Sequence, residues 1–291
     1  MARRVALTGA SCACLLYAKR RSSLQASCTA AAFCDTSRVE ARQQPVTLQG
    51  KVALVTGGTG SIGRCVARDL ASSGCRVVVV DIDETKCKDF AAQLPVPGLG
   101  ISMDVSNEQS VSEGYRRIVA ALGPVDILVN VAGILSNNKL FETNADEWHR
   151  VHGVNYDSVF FLAKACMPHM QAQAWGRVVN LSSWAWKSGG LTAGTAYSAS
   201  KGAMVGLTFS LARQFAGDGI TVNAVAPCYV FSPMIMEQLT AEKREELLAA
   251  VPVKRFCTPE EVAHAVMFLV SPLSGFITGE VIDMNGGFQM D

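Results

Sequence analysis

The fold is decided by residues 51–81, which read KVALVTGGTGSIGRCVARDLASSGCRVVVVD. An apolar run at 51–56 meets a turn with four glycines, a helical stretch follows from 64 to 73, and Gly74 ends it. Four valines then run into Asp81. Short valine-rich runs predict buried strands. A strand, a helix and a second strand in this order predict the crossover unit of a parallel sheet.

The same alternation continues toward the C-terminus. After the valine strand at 76–80, further strands are predicted at 99–104, 126–130, 177–181, 221–226 and 280–284, with helices around 108–122, 148–170, 196–216 and 259–269. Neither repeats nor interdomain linkers interrupt the pattern. The sequence therefore predicts an α/β fold of the Rossmann type, with a doubly wound parallel seven-stranded sheet and helices on both faces. Residues 46–291 would form this single domain.

Composition excludes several classes of protein. The chain has 291 residues and a net charge of +1, from 26 Lys and Arg against 25 Asp and Glu. This balance offers no basic face for nucleic acid. No apolar run reaches the roughly 18 residues of a membrane-spanning helix. Ten cysteines include no Cys-x-x-Cys pair and no Cys/His cluster of zinc-ligand spacing. We expect a soluble protein without a metal site, a membrane span or a nucleic-acid partner.

The N-terminal residues differ from the rest. Residues 1–34 contain five Lys and Arg, no Asp or Glu, and many Ala, Ser and Cys. Such a composition is typical of an organelle transit peptide. We therefore expect residues 1–45 to be a targeting or disordered leader that directs the protein to the mitochondrion. A plastid, an uncleaved tail on a cytoplasmic protein, and a secretory signal with its apolar region at 5–18 are the alternatives.

The glycine turn and Asp81 predict a dinucleotide site. Glycine lets a pyrophosphate approach the backbone, and the start of the following helix presents free N–H groups and a positive dipole end. Asp81 closes the next strand, where a carboxylate can accept hydrogen bonds from the adenosine ribose. The same carboxylate repels a 2′-phosphate, and neither the glycine turn nor the residue after Asp81 is Lys or Arg. NAD(H) is therefore favoured over NADP(H).

A tyrosine and a lysine predict acid–base chemistry. Tyr197 and Lys201 are four residues apart and would share one helix face. The ammonium group would lower the pKa of Tyr197 from about 10 and make its hydroxyl an acid or base near neutrality. The strand at 178–181 leads directly into Ser182 and Ser183, and parallel sheets place their sites at such carboxyl ends.

Together these segments resemble the short-chain dehydrogenase/reductase family, from residue 48 to the C-terminus. The resemblance implies that Tyr197 is the general acid/base, that Lys201 lowers its pKa and holds the ribose, and that Ser183 binds the substrate oxygen. It also implies that Asn155 holds a water that relays protons. Ser183 lies fourteen residues before Tyr197, one more than is common in the family, so Ser182 is an alternative for the serine role.

The resemblance extends to the cofactor contacts. The sequence departs from the family pattern at Ser61, Val131 and Cys228, where glycine, asparagine and glycine are usual. The implied cofactor-binding residues are Gly57, Thr59, Ser61, Ile62, Gly63, Asp81, Ile82, Asp104, Val105, Asn130, Ala132, Gly133, Tyr197, Lys201, Pro227, Val230 and Ser232.

The C-terminal segments narrow the implied substrate. Residues 258–263 and 276–287 resemble those of 3-oxoacyl-[acyl-carrier-protein] reductases. The resemblance implies an enzyme of fatty acid metabolism that interconverts a ketone and a secondary alcohol, with 3-oxoacyl and 3-hydroxyacyl thioesters as lead substrates. It also implies a homotetramer. The positions at which bacterial members use basic residues to dock the acidic carrier are Ala174 and Asp218 here. An acyl carrier protein is therefore a doubtful partner.

Two alternatives stay open from the sequence. A sugar, polyol or small-alcohol dehydrogenase would carry the same motifs. A catalytically silent nucleotide-binding assembly subunit would keep the fold, but it would more readily have lost Ser183, Tyr197 or Lys201, and all three are present.

Overall fold

A computed structural model describes residues 47–232 and 240–290. The predictions for the leader at 1–45 lie outside these residues. Among the described residues, no helix has both the length and the apolar character that crossing a membrane requires.

The centre of the fold is one parallel sheet. Its strands are β1 (Val52–Thr56), β2 (Arg76–Asp81), β3 (Leu99–Ser102), β4 (Ile127–Asn130), β5 (Gly176–Leu181), β6 (Ile220–Pro227) and β7 (Val281–Met284). They lie in the order β3-β2-β1-β4-β5-β6-β7, and every neighbouring pair is parallel. The predicted doubly wound seven-stranded sheet is confirmed.

Helices cover both faces. The described ones are α1 (Ser61–Ser72), α2 (Glu84–Ala92), α3 (Glu108–Leu122), α4 (Ala145–His152), α5 (Ser158–Ala172), α6 (Ala185–Ser188), α7 (Thr195–Phe215), α8 (Ala241–Ala250) and α9 (Pro259–Val270). A π-helical turn, Gly153–Asp157, joins α4 to α5. Short 3-10 turns follow α7 and α9, at Ala216–Asp218 and Pro272–Ser274.

The valines of β2 explain the two-sided core. Successive side chains of a strand point to opposite faces. Val77 and Val79 pack into a cluster with residues of α1, α2 and α9, whereas Val78 and Val80 pack into a second cluster with residues of α3 and α5. All four valines are fully buried. A continuous apolar run therefore marks a strand with a helix layer on each side.

Several elements differ from the prediction. Helices α2, α6 and α8 are absent from the prediction. The single helix predicted at 148–170 is instead divided by the π-helical turn into α4 and α5. The predicted third strand was two residues too long, because β3 ends at Ser102. α8 buries only Leu247, so it has no apolar stripe that the sequence could reveal.

The topology places a crevice at one end of the sheet. β1 lies between β2 and β4, and the connections leave it in opposite directions. At such a switch point, the loops after the two strands diverge and open a ligand site beyond their carboxyl ends. The glycine turn after β1 and the segment after β4 border this crevice.

Candidate active site

A cleft of about 610 Å³ opens at this switch point. Of the residues predicted to bind cofactor or substrate, those that line it are Gly57, Ser61, Ile62, Gly63, Asp81, Ile82, Asp104, Val105, Ala132, Gly133, Ser183, Tyr197, Lys201, Pro227, Val230 and Ser232. Thr59, Asn130 and Asn155 do not line it. Asn130 is 2% exposed, and its amide donates to Asn180 Oδ1 (2.8 Å), so it ties β4 to β5 beneath the cleft.

The glycine turn forms a cradle for a pyrophosphate. Gly57 has a φ of +60°, and a Cβ there would lie 2.9 Å from backbone atoms of Ala132. A Cβ on Gly63 would collide with the carbonyl oxygen of Gly57. α1 begins at Ser61 with no side-chain cap and no acidic residue in its first turn. Its first N–H groups and its positive dipole end are therefore available to an anion, and the turn fits a dinucleotide despite the serine at this position.

Asp81 is held at the adenosine end of the cleft. Its Oδ2 accepts hydrogen bonds from the Thr59 amide (3.2 Å) and hydroxyl (2.5 Å), and its Oδ1 accepts one from the Ile82 amide (2.8 Å). Thr59 therefore supports Asp81 rather than lining the cleft. A carboxylate has about four acceptor positions, so these three bonds orient Asp81 and leave acceptor capacity for a ribose hydroxyl.

The two serines after β5 have different partners. The Ser183 hydroxyl hydrogen bonds with Tyr197 and also accepts from the Ala185 amide (3.2 Å). Ser182 is 2% exposed, and its hydroxyl donates to the Lys201 carbonyl (3.1 Å). The structure therefore brings Ser183 to Tyr197 and uses Ser182 to fasten β5 to α7.

Lys201 reaches the cleft from a buried position on α7. It is 3% exposed, and its Nζ donates to the Leu181 carbonyl (2.6 Å) and lies 5.7 Å from the centre of the Tyr197 ring. A Cβ on Gly133 would lie 3.5 Å from this Nζ and 3.4 Å from Asn155 Oδ1. The lysine and the asparagine thus both lie beside Gly133 and face the same space.

Asn155 lies in the π-helical turn. Its Oδ1 accepts from the Ile134 amide (2.8 Å), and its Nδ2 donates to the Ile134 carbonyl (3.0 Å) and to Ser200 Oγ (3.0 Å). These bonds connect the segment after β4 to α7. Such turns occur frequently at functional sites, and here the turn directs a fully buried amide at the catalytic helix.

The pKa of Tyr197 moves in the direction opposite to the prediction. Burial raises it above the ordinary value near 10, and the hydrogen bond with Ser183 opposes the rise only in part. Lys201 donates to the Leu181 carbonyl, and burial rather than the ammonium group determines the direction of the Tyr197 pKa shift. Burial also lowers the pKa of Lys201 to about 8, since desolvation disfavours the ammonium group.

The substrate side of the cleft is mostly apolar. Its walls include Leu135, Val154, Trp184, Leu191 and Tyr229. None of these five residues forms a motif in the sequence, because they come from separate segments that only the fold brings together. Trp184 is fixed by an edge-on contact with Phe288 and by a hydrogen bond from its indole to Gln289 Oε1 (2.8 Å).

Comparisons with known proteins agree with this geometry. A family model described as enoyl-(acyl carrier protein) reductase matches residues 57–289. The 3-oxoacyl-[acyl-carrier-protein] reductase FabG of Vibrio cholerae is 39% identical over 246 residues, which are 84% of this chain and 100% of the relative. FabG of Escherichia coli is 37% identical with the same coverage.

The chain belongs to the short-chain dehydrogenase/reductase family.

A solved structure supports the same fold. The crystal structure of an Agrobacterium tumefaciens protein assigned as a gluconate dehydrogenase is 28% identical and superposes with a TM-score of 0.80, covering 84% of this chain and 97% of that one. As a short-chain dehydrogenase/reductase, the protein is an oxidoreductase that acts on CH–OH groups with a nicotinamide cofactor. Among the described residues, no cluster of His, Cys, Asp or Glu could hold a metal ion.

Proposed function

We propose that this short-chain dehydrogenase/reductase interconverts 3-oxoacyl and 3-hydroxyacyl thioesters with NAD(H). The observation that carries the proposal is the hydrogen bond between Ser183 and Tyr197 beside the buried Lys201, in a cleft whose substrate side is apolar. Similarity to the FabG proteins supports the acyl substrate, because those relatives are named as 3-oxoacyl reductases.

The residues of the chain divide the proton chemistry among them. A bound nicotinamide supplies or accepts the hydride. In reduction, Tyr197 donates its phenolic proton to the substrate oxygen, and its raised pKa keeps that proton in place near neutral pH. Ser183 donates a hydrogen bond to the same oxygen as negative charge develops there. Lys201, which has a pKa of about 8, then supplies a proton that restores the phenol of Tyr197. Asn155 faces the same space as Lys201. Oxidation runs these transfers backward.

Asp81 supports NAD(H) as the cofactor. Its carboxylate lines the adenosine end of the cleft, where a 2′-phosphate would meet like charge. Among the described residues that line the cleft, Lys201 is the only Lys, Arg or His, and it lies at the catalytic end. Arg64 is near the glycine turn, but it bonds to the Thr59 carbonyl (3.0 Å) and covers the Phe90 ring. Within residues 47–232 and 240–290, no cation that lines the cleft would therefore compensate a 2′-phosphate.

Replacing Asp81 tests the cofactor preference. Asp81→Ser removes the negative charge and keeps a small hydrogen-bonding side chain. We expect the ratio of kcat/KM for NADH to that for NADPH to fall by about tenfold or more, as one lost charge repulsion of 1–2 kcal/mol implies. Steady-state kinetics with both cofactors gives this ratio. A wild-type enzyme that prefers NADPH would contradict the assignment.

The walls of the cleft favour a neutral apolar chain as the substrate. A sugar acid such as gluconate would bring a carboxylate next to Leu191 and Tyr229, with no cation on that side of the described cleft. Similarity to the gluconate dehydrogenase structure supports sugars and polyols as the second candidate substrate class. Within this class the cleft favours neutral members, which bring no carboxylate to its apolar side. An acidic carrier protein is disfavoured as a partner, because Asp218 places a negative charge where the bacterial relatives use a basic residue to dock the carrier. The Asp218 carboxylate accepts a hydrogen bond from Gln171 Nε2 (2.9 Å).

A turnover panel tests the activity. The purified protein is assayed with acetoacetyl-CoA, acyl-carrier thioesters, neutral sugars and simple ketones, each with NADH and NADPH. We expect the highest kcat/KM for acetoacetyl-CoA with NADH. Tyr197→Phe should keep NADH binding and lose turnover. Tight NADH binding with no turnover on any substrate would instead favour the silent assembly subunit, and full activity of the Tyr197→Phe variant would exclude the proposed proton donor.

We also propose a homotetramer. Phe160 on α5 and Phe209 on α7 are 48% and 47% exposed, and Cβ atoms on Gly202 and Gly206 would meet nothing within 4 Å. Exposed aromatic and small residues along neighbouring helices suit contact with a second copy. Light scattering should give four times the subunit mass, and Phe209→Asp should lower it. A wild-type monomer would overturn this proposal.

Mitochondrial import is the proposed role of residues 1–45. It rests on the five basic residues and the absence of acidic ones at 1–34. A fluorescent protein carrying residues 1–45 should enter mitochondria, and an otherwise identical fusion with the five Lys and Arg of residues 1–34 changed to Gln should not. Plastid or cytoplasmic fluorescence of the first fusion would redirect the assignment.

A further inference from the structure

One loop shapes the substrate side of the cleft. Residues 188–194, here named the wall loop, connect α6 to α7. Ser188, Gly190, Leu191, Thr192 and Ala193 all line the cleft. α7 begins at Thr195, immediately after the loop, and carries Tyr197 in its first turn. The position of the wall loop therefore affects the space in which a substrate lies.

The wall loop has little structure of its own. Residues 189–194 belong to no helix or strand. Gly189 and Gly190 have φ values of +68° and +76°, and Leu191 is 61% exposed. Glycines lose much conformational entropy when they are ordered. Contacts from outside must hold the loop in one shape.

Lys139 supplies two of these contacts. Its Nζ donates to the carbonyl of Gly190 (2.8 Å) and to the carbonyl of Ala193 (2.5 Å). One ammonium group thus joins the two ends of the part of the loop that faces the cleft. Hydrogen bonds from charged donors are stronger than those between neutral groups.

The backbone around Lys139 adds further contacts. The Gly194 amide donates to the Ser136 carbonyl (2.6 Å), and the Thr195 amide donates to the Asn138 carbonyl (3.0 Å). A Cβ on Gly194 would collide with the Asn138 carbonyl oxygen, so the two segments approach as only a glycine permits. Residues 136–139 are here named the clamp segment.

The clamp segment is itself anchored to α4. The side-chain Nδ2 of Asn138 donates to Glu147 Oε2 (2.7 Å), and the Ser136 hydroxyl donates to Glu147 Oε1. The Thr143 hydroxyl donates to the Lys139 carbonyl (2.9 Å). Lys139 therefore connects the clamp segment, which is anchored to α4, to the wall loop.

We propose that Lys139 is a positioning residue that holds the wall loop in the shape that binds substrate. It does not line the cleft itself, and it acts through the carbonyls of Gly190 and Ala193. The inference rests on the proposed function, since it assigns a specificity role at the same site.

Lys139→Met tests the inference, because methionine keeps the length of the side chain and removes the donor. We expect KM for the ketone substrate to rise by about tenfold or more, the loss that removal of a charge-assisted hydrogen bond implies. kcat should change less than KM, because Tyr197 is carried by a helix that stays packed. The Kd for NADH should match that of the wild type. Lys139→Arg keeps the charge and the donors and should restore much of the KM.

The matched control is Lys164→Met. Lys164 is also an exposed lysine and pairs with Glu108 (2.8 Å) away from the cleft. This variant should keep the wild-type KM. A thermal melt of each variant separates a local effect from unfolding. If Lys139→Met lowers the Tm and leaves the KM unchanged, the residue is merely structural and the inference fails.

Hydrogen exchange tests the clamp without any turnover. Peptides covering residues 188–196 should exchange faster in Lys139→Met than in the wild type and Lys164→Met, because the wall loop loses its anchor. If these peptides exchange at the same rate in Lys139→Met as in the wild type, the inference is wrong. If the wild-type enzyme reduces no substrate, the proposed function fails, and the exchange rates alone then decide whether Lys139 holds the loop.

Discussion

Lys201→Met should make the protein more stable while it abolishes catalysis. Lys201 is 3% exposed, and its Nζ donates to a backbone carbonyl rather than to a carboxylate. Burial therefore lowers its pKa from about 10.4 to about 8. Because each pKa unit corresponds to about 1.4 kcal/mol, the charged lysine costs the native state about 3 kcal/mol at neutral pH.

Methionine fills a similar volume without charge. It also leaves the Leu181 carbonyl without its donor, which costs about 1 kcal/mol. The net gain in the free energy of unfolding is therefore about 2 kcal/mol at pH 7. The size of the gain depends on pH. Because the native pKa of Lys201 is lower than the unfolded one, the unfolded state binds more protons between about pH 8 and pH 10.4, and wild-type stability rises with pH in that window.

Urea unfolding of both proteins at equal concentration measures the difference. We expect the gain of Lys201→Met to fall from about 2 kcal/mol at pH 7 to nearly zero at pH 9.5, since most of the lysine penalty is lost by then. The variant should show no ketone reduction at either pH. A Lys201→Met protein that is less stable than the wild type at pH 7, or a gain that is equal at both pH values, would show that burial of the charged lysine does not destabilise the native state.

Three further outcomes follow from the site. Ser183→Ala should lower kcat/KM by about 100-fold, because the Ser183 hydroxyl would bind the reacting oxygen. Ser182→Ala should mainly lower the free energy of unfolding, by about 1 kcal/mol. If steady-state assays show the larger loss of kcat/KM in Ser182→Ala, the catalytic serine is Ser182. Gly63→Ala should raise the Kd for NADH by about tenfold or more in a fluorescence titration, because the new Cβ collides with the Gly57 carbonyl oxygen, and an unchanged Kd would contradict the cradle. The kcat of ketone reduction should be flat below about pH 8 and fall above it as Lys201 loses its proton, and a profile that rises through pH 8 would oppose the proton return.

The sheet could be predicted because its signals are local. A valine run such as that of β2 is buried on both faces, and the glycine turn after β1 is required by the approach of the Ala132 backbone. Both features can be recognised within a few neighbouring residues of the sequence, although the Ala132 backbone that requires the glycine belongs to a distant segment. The alternation of strands and helices predicts a parallel sheet, whereas the order of its strands is given by the structure.

The missed helices show where local signals fail. α2 buries Cys87, Phe90 and Ala91, and α8 buries only Leu247. Neither has a wide apolar stripe, and the clearest signals are the caps. The Asp83 side chain accepts from the Lys86 amide (3.0 Å), and the Thr240 side chain accepts from the Lys243 amide (3.3 Å). Cap residues also begin many turns, so they predict a helix only with further support.

The catalytic pair shows a different limit. The spacing of Tyr197 and Lys201 predicts that both reach one site, and the structure places both on its lining. Spacing does not determine the direction of a pKa shift, because burial acts on both groups at once. Burial disfavours the phenolate of Tyr197 and the ammonium of Lys201 alike.

With these two pKa shifts, Tyr197 keeps its proton at neutral pH, and the neighbouring Lys201 loses its proton near pH 8. In reduction this state is useful, because Tyr197 must hold a proton until the substrate oxygen gains charge. The oxidation direction requires a proton to leave Tyr197, and an oxidised nicotinamide would bring a positive charge close to the ring and favour the phenolate. On this reasoning, the direction of proton transfer depends on the charge of the bound cofactor at least as much as on Lys201. The apparent pKa of Tyr197 should then be lower with NAD⁺ bound than in the free protein, and a phenolate absorbance titration that gives the same value in both states would contradict this coupling.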